Sequence, residues 1–179
     1  TKLYHTGEGG AIIFKNCADL ERAKKMINFG ITGPETIEEL GINAKMNEMQ
    51  AAMGLCVLDE MENNLECRKR IWEAYQAGLS ASLKLQSHLD GVSYNYSYFP
   101  VVFKDERQLL KVIQMLKESD IQIRRYFYPS LDSIALVDGD NSCDASNDIA
   151  SRIACLPIYA GLSLYYVEKV VGIVNKVVN

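Results

Sequence analysis

The stretch TKLYHTGEGG at the start of the chain places one lysine, Lys2, shortly before a glycine-rich segment. A lysine amine attacks a carbonyl only in its unprotonated form, so a reactive lysine needs desolvation or a neighbouring positive charge. Taken alone, Lys2 is an ordinary solvated charge. The glycines resemble a phosphate-binding loop but lack the GK[ST] ending of a P-loop and the βαβ spacing of a dinucleotide site. The alternative interpretation of these glycines is a tight turn. A role for these residues therefore depends on the rest of the chain.

The composition is that of an ordinary globular protein with a mild negative charge. The 179 residues are 48% hydrophobic and 23% charged, with a formal net charge of −4 and a pI near 5.3. Nucleic-acid binders are normally basic, and no apolar run approaches the roughly 20 residues of a membrane span. We therefore expect neither nucleic acid nor membrane as a partner, and the first residues do not read as a signal peptide.

The cysteines favour a reducing compartment. Their number is odd, they are widely scattered, and no pair has the spacing of metal ligands. We expect free thiols, no bound metal and a cytoplasmic location. The five are Cys17, Cys56, Cys67, Cys143 and Cys155.

The first third of the chain predicts a strand at 11–14, a helix at 16–28 and a loop at 30–41. From 43 to 79 apolar residues, many of them methionine, recur every three or four positions without a proline. This pattern predicts one long helix or two joined helices, with the methionine stripe in a core or a dimer interface. Gly54 within it indicates close packing against a neighbour.

The rest of the chain, from about residue 65, is predicted to form a compact α+β unit, and its strand-like segments come after Gly91. Strands are expected at 92–103 and 121–124, with an extended run at 155–159. Helices are expected at 105–118, at 147–153 and after Ser163, whose position favours an N-cap, and a polar turn at 138–147. The inward positions of the last helix are predicted to be Tyr166, Val167, Val170, Ile173, Val174 and Val177.

Four segments together resemble one enzyme family. TKLYHTGEGGAII, LGINAKMNEMQAAMGL, RRYFYPSL and ACLPIYAGLS follow one another in the order seen in the DegT/DnrJ/EryC1/StrS family of sugar aminotransferases. The resemblance covers essentially the whole chain. It implies an α/β fold-type-I aminotransferase fragment with pyridoxal phosphate as cofactor: residues 1–64 end the large, cofactor-binding domain and include a long connecting helix, and residues 65–179 form a small α+β domain.

The resemblance gives Lys2 a role, because the lysine of this motif forms the Schiff base with the cofactor. Lysine at this position favours transamination, whereas related enzymes with histidine there carry out dehydration. His5 is not that histidine, and we expect it to be a packing or loop residue. Further cofactor contacts of the family lie upstream of the lysine, so we expect the chain to be the C-terminal part of a longer enzyme and inactive alone.

Two further sites follow from the resemblance. Asn43 matches the asparagine that reaches the cofactor phosphate of the partner subunit, which implies a homodimer; its alternative role is to cap the long helix. Arg124, Tyr126 and Tyr128, with Arg125, are candidates to line the entrance for a nucleotide-sugar diphosphate, since arginine suits bidentate phosphate contact. The alternative for either arginine is a surface ion pair. Many relatives carry histidine where Asp132 stands, so a substrate contact at 132 is in doubt.

The reaction implied is amination of a nucleotide-linked keto-deoxysugar, with dTDP-4-keto-6-deoxyhexose as substrate and glutamate as donor. Such a reaction belongs to amino-sugar and surface polysaccharide biosynthesis. One alternative is another pyridoxal-phosphate reaction on such sugars, for example dehydration. The alternative from a different class is a catalytically inactive, partner-binding module.

Overall fold

The computed structural model describes residues 2–135 and 142–179, and these form two compact units, residues 2–61 and 62–179. The division falls near the 64/65 boundary expected from the sequence. The assignment of the two parts to a large and a small aminotransferase domain stays a prediction. Part of the polar turn expected at 138–147, residues 138–141, lies outside the described residues.

The unit 2–61 contains two helices and a short hairpin. Its elements are α1 (Cys17–Met26), β1 (Ile31–Gly33), β2 (Thr36–Ile37) and α2 (Glu48–Asp59). The helix expected at 16–28 is confirmed by α1, whereas the predicted loop at 30–41 contains the antiparallel pair β1–β2. The strand predicted at 11–14 is wrong: the segment is irregular, and Ile12 and Ile13 are 76% and 97% exposed. An apolar run becomes a strand only beside another strand, and none pairs with it within the described residues.

The apolar pattern of residues 43–79 forms two helices, because the chain leaves helical geometry at Glu60. Helix α3 (Met61–Gly78) follows α2 directly. A capping box opens α2: Gln50 N donates to Asn47 Oδ1 at 2.8 Å, and Asn47 N donates to Gln50 Oε1 at 3.2 Å. Asn47 therefore caps this helix, and the alternative role of Asn43 as its cap is wrong.

The unit 62–179 is built on a three-stranded antiparallel sheet of order β3–β4–β5. Its elements after α3 are β3 (Lys84–Leu85), β4 (Phe99–Val102), α4 (Glu106–Lys117), α5 (Asp144–Arg152), β5 (Ile153–Leu156) and α6 (Leu164–Val178). The strand predicted at 92–103 pairs only at 99–102, where β5 runs alongside. The predicted strand 121–124 is wrong, since only Arg124 pairs, in an isolated bridge with Cys155. The extended run expected at 155–159 begins earlier and ends at Leu156, before Pro157, which has no N–H to donate.

The core of this unit lies between the sheet and its helices. Phe99 and Val101 of β4 and Ala154 and Leu156 of β5 are each at most 2% exposed, while the residues between them are partly exposed. This alternation is the period of a strand with one buried face. The helices contribute Tyr75, Leu109, Val112, Leu116, Val167, Val170 and Val174.

Helix α6 follows Ser163 as predicted, although the Ser163 side chain makes no capping hydrogen bond. Its buried residues are Val167, Val170 and Val174, but Tyr166 is 50% exposed, so its predicted inward position is wrong. Adjacent residues are rotated by about 100° around a helix, and the three valines already occupy the side that faces the core. None of the helices in the described residues could cross a membrane.

The packing of residues 4–6 against α2 explains Gly54, the one buried residue of that helix. A Cβ at Gly54 would lie 2.7 Å from the Tyr4 hydroxyl oxygen and 2.8 Å from Thr6 Cγ2, and Thr6 is itself buried. The expected close packing at Gly54 is therefore confirmed. This contact fixes the backbone immediately after Lys2.

Gly54→Ala should lower the melting temperature, because the new methyl group forces Tyr4 and Thr6 away from α2. Gly172→Ala in α6 is the matched control: a Cβ there meets nothing within 4 Å, so replacing a helical glycine should stabilise the fold by about 0.5–1 kcal/mol. Scanning calorimetry of both variants and the parent checks this. If Gly54→Ala stabilised the protein as Gly172→Ala does, the close packing would be refuted.

Candidate functional site

Lys2 lies on an irregular segment, and its side chain is exposed. The next turn contains Gly7 with φ of +72°, and a Cβ on Gly9 would lie 1.8 Å from Thr6 Oγ1. The turn therefore packs tightly against Thr6. Gly9 allows this close approach because it has no side chain. His5 is exposed in the same irregular segment, in agreement with its expected place in a loop.

Asn43 lies in an extended segment that pairs with the turn after α1. The backbone of Asn43 bridges to Asn28, and Ala44 N donates to Ile27 O at 3.0 Å. The side-chain Oδ1 of Asn43 accepts from Lys45 Nζ at 3.1 Å, and Lys45 Nζ also lies 4.4 Å from the centre of the Phe29 ring. No hydrogen bond within residues 2–135 and 142–179 uses Asn43 Nδ2. An amide donor beside a cation is an arrangement suited to an anion.

Lys2 and Asn43 share the unit 2–61, but no hydrogen bond joins them within its described residues. The roles of both residues stay predictions.

Arg124 and Tyr126 come together in the unit 62–179. Arg124 exchanges backbone hydrogen bonds with Cys155, the shorter being Cys155 N to Arg124 O at 2.8 Å. An Arg124 guanidinium N–H donates to the Tyr126 hydroxyl, and the guanidinium carbon lies 5.5 Å from the Tyr126 ring centre. Both residues line a cavity of about 260 Å³ beside the end of β5. Arg124 makes no ion pair within the described part of the chain.

Arg125 and Tyr128 are placed differently. Arg125 forms an ion pair with Glu106 at 2.7 Å, donates to Ser151 O at 2.8 Å, and stacks on the Tyr128 ring with 3.7 Å between the guanidinium carbon and the ring centre. The ion-pair alternative is thus confirmed for Arg125. Neither residue lines the cavity that holds Arg124 and Tyr126.

Arg68 is the residue of this cavity that sequence reasoning missed. It is 7% exposed, and its Nη1 donates to Tyr96 O and Ser97 O at 3.3 Å and to Ile158 O at 3.4 Å. Burial lowers the pKa of the Arg68 guanidinium. The helical spacing could have identified Arg68 as buried, because it lies on the same face of α3 as Ile71, Trp72 and Tyr75, which are buried core residues.

Asp132 ties the loop after Pro129 to the start of α5. Its carboxylate accepts from Ser130 Oγ at 2.5 Å, from Cys143 N at 2.7 Å and from Asn147 Nδ2 at 2.7 Å. These bonds favour the ionised form and lower the pKa of Asp132, with the Ser130 hydrogen bond as the main cause. Asp132 therefore makes structural contacts in this protein. The five cysteines, all within the described residues, are free thiols as expected.

Comparisons with known proteins agree on one family. The DegT/DnrJ/EryC1/StrS aminotransferase family matches residues 1–175. A dTDP-4-amino-4,6-dideoxy-D-glucose transaminase of Shigella dysenteriae is 32% identical over 99% of this chain and 50% of its own length. The chain spans about half the length of the curated relatives it matches.

Solved structures show the same fold. The sugar aminotransferase CalS13 of Micromonospora echinospora is 18% identical and superposes with a TM-score of 0.85 over 98% of this chain and 49% of its own. DesI, solved in the presence of its TDP-sugar product, is 26% identical with a TM-score of 0.74 over 89% of this chain and 43% of its own. The α/β fold-type-I expectation is thereby confirmed.

Asp132→Asn should lower the melting temperature at neutral pH, because the ionised carboxylate accepts three hydrogen bonds in the folded state. The pKa of Asp132 is lowered on folding, so its contribution is present above the unfolded pKa and is lost as the pH falls through the folded one. The difference between variant and parent should therefore shrink as the pH drops below about 4. Asp90→Asn, at an exposed position, is the control. A difference that persists unchanged down to pH 2 would contradict the assignment.

Proposed function

Because the chain belongs to the DegT/DnrJ/EryC1/StrS aminotransferase family, we propose that the full-length protein is a transaminase acting on a keto-deoxysugar linked to a nucleotide. The proposed substrate is a dTDP-4-keto-6-deoxyhexose and the proposed amino donor is glutamate. The observation that carries the proposal is Lys2 in the motif TKLYHTGEGG, within a family match over residues 1–175. The named activity of the Shigella relative and the TDP-sugar product of DesI support the choice of sugar.

Pyridoxal phosphate is the cofactor of this family, and the residues present fit it by the chemistry of their donors. The cofactor carries an aldehyde and a phosphate. Lys2 offers an exposed primary amine for the first, and Asn43 offers an unused amide N–H for the second, next to the positive charge of Lys45. When bound, the cofactor supplies the electron-accepting ring that substrate activation requires.

Lys2 then has two tasks in the proposed reaction. Its amine would hold the cofactor through the aldehyde, and when free the same amine would move a proton at the reacting carbon of the substrate. The contact of Tyr4 and Thr6 with α2 at Gly54 positions the backbone that carries Lys2. Arg124 and Tyr126 bind the substrate diphosphate, and the role of Tyr128 in this contact stays a prediction.

The full-length protein, incubated with dTDP-4-keto-6-deoxyglucose and glutamate, should yield a dTDP-amino sugar and 2-oxoglutarate, both measurable by mass spectrometry. Lys2→Ala should lower this rate by about 100-fold or more, the range expected for a lost general acid–base group, while Lys15→Ala should leave it unchanged. Borohydride reduction followed by peptide mapping should place the pyridoxyl label on Lys2.

Three outcomes would overturn this proposal. A label on Lys15, Lys24 or Lys45 would remove Lys2 from the cofactor site. A dehydrated sugar in place of an aminated one would favour the alternative reaction. No label on any lysine would favour the partner-binding module.

The proposed assembly is a homodimer in which Asn43 serves the neighbouring subunit. Helix α2 supports it, since only Gly54 of its residues is buried, and Met49, Leu55 and Leu58 are 80%, 65% and 53% exposed. Flexible, exposed apolar side chains of this kind suit a partner surface, and two-fold pairing is the commonest assembly. A cytoplasmic location and a place in surface polysaccharide biosynthesis belong to the same proposal.

Asn43→Ala should weaken cofactor retention by about tenfold or more, the effect of losing one hydrogen bond to a charged group. Subunit mixing tests whether Asn43 acts across the interface. A mixed dimer of Lys2→Ala and Asn43→Ala subunits would hold one doubly damaged site and one intact site, so activity should exceed that of either variant alone. If mixed dimers form and activity never rises, Asn43 acts within its own subunit.

A further inference from the structure

The cavity beside the end of β5 combines two positive charges with aromatic walls. Its volume is about 260 Å³ and it is open to solvent on one side, and its lining residues include Arg68 and Arg124 together with three tyrosines, Tyr98, Tyr126 and Tyr159. No aspartate or glutamate is among its lining residues. Two guanidinium groups therefore border one cavity without a carboxylate, that of Arg68 buried and that of Arg124 exposed.

The burial of Arg68 makes this charge costly. A charged side chain removed from water is normally compensated by an opposite charge, yet Arg68, at 7% exposure, makes no ion pair in the described ranges 2–135 and 142–179. Its Nη1 is satisfied by three backbone carbonyls. Its Nε and Nη2 make no hydrogen bond to any described residue, so these N–H groups remain available to a ligand.

Arg124 adds a second guanidinium that is not neutralised. The contrast with its neighbour is direct: Arg125 is paired with Glu106 at 2.7 Å, whereas the side-chain hydrogen bond of Arg124 goes to the neutral Tyr126 hydroxyl. The backbone bridge to Cys155 holds Arg124 at the cavity. The positions of both arginines are therefore fixed by backbone contacts rather than by acidic partners.

We propose that Arg68 and Arg124 form an oxyanion-binding pocket that takes a phosphate group of the substrate's nucleotide diphosphate. The planar guanidinium presents paired N–H donors that match the spacing of phosphate oxygens, and the tyrosine hydroxyls are further donors. The inference rests on the proposed function for the identity of the ligand, and it adds Arg68 to the contacts assigned there to Arg124 and Tyr126. A carboxylate of the amino donor carries the same oxyanion chemistry, so the test separates the two sources.

The test measures binding to the full-length protein loaded with its cofactor, by calorimetry, with inorganic pyrophosphate and with glutarate as separate probes. Arg68→Lys keeps a positive charge and a donor for the carbonyls but loses the paired N–H donors of the guanidinium. It should weaken pyrophosphate binding by about tenfold or more, the usual effect of losing a hydrogen bond to a charged group. Arg68→Lys is compared with Arg70→Lys, an exposed position on the same helix.

A second variant keeps the test decisive if Arg68→Lys fails to fold. Gln122 lines the cavity and is exposed, so Gln122→Glu introduces a negative charge at the pocket with almost no change of shape. Pyrophosphate binding should again fall by about tenfold, because the new carboxylate competes for the arginines. Gln76→Glu adds the same charge at an exposed position of α3 outside the cavity and should have no effect.

Each of the following outcomes supports or overturns the proposed pocket. Loss of pyrophosphate affinity in the cavity variants alone supports the proposal, and loss of glutarate affinity instead overturns the phosphate assignment in favour of a carboxylate. Unchanged affinity for both probes overturns the pocket. The transamination assay is independent: if no keto sugar is aminated while pyrophosphate affinity still depends on Arg68 and Gln122, the proposed function fails and the pocket stands.

Discussion

The antiparallel pairing of β4 with β5 is the constraint on which the unit 62–179 depends. It sets Phe99 opposite Leu156 and Val101 opposite Ala154, and these four residues form the sheet side of the core. The chain beyond β5 is then fixed by hydrogen bonds to its carbonyls: Tyr75 donates to Pro157 O at 3.0 Å, and Arg68 donates to Ile158 O. Burial raises the pKa of Tyr75, so its hydroxyl remains a neutral donor at any ordinary pH. The cavity exists because the sheet holds these segments in place.

Three arginines near this sheet show how the same side chain serves different purposes. Arg152 forms an ion pair with Asp148 at 2.6 Å and donates to Phe103 O, and thereby joins the end of α5 to the end of β4. Arg125 joins α4 to α5 through Glu106 and Ser151 O. Arg68 has only carbonyl partners. Carboxylates therefore compensate the charges of Arg152 and Arg125, whereas the charge of Arg68 at the cavity has no acidic partner among the described residues.

The unit 2–61 has a different balance of packing. Its apolar side chains are largely exposed, with Ile13 at 97%, Leu40 at 92% and Met49 at 80%, and its order comes from backbone pairing, the capping box of α2 and the contact at Gly54. Exposed apolar surface of this extent marks regions that other protein surfaces cover. The curated relatives are about twice as long as this chain.

The sequence by itself determined the features that depend on neighbouring residues. Helical spacing predicted α1, α4 and α6, Ser163 predicted the start of the last helix, and the order of four motifs predicted the family. Features that depend on distant residues were decided by tertiary structure. Residues 11–14 and 121–124 have strand-like composition, but no strand of the described residues runs along their length. Tyr166 faces solvent because three valines occupy the core side of α6. In the sequence, Arg68 is one more charged residue on a predicted helix. Only the folded structure shows that Ile158, 90 residues away, accepts a hydrogen bond from its guanidinium. Hydrogen bonds and burial depend on residues that are distant in the sequence, whereas a periodic pattern reflects only residues a few positions apart.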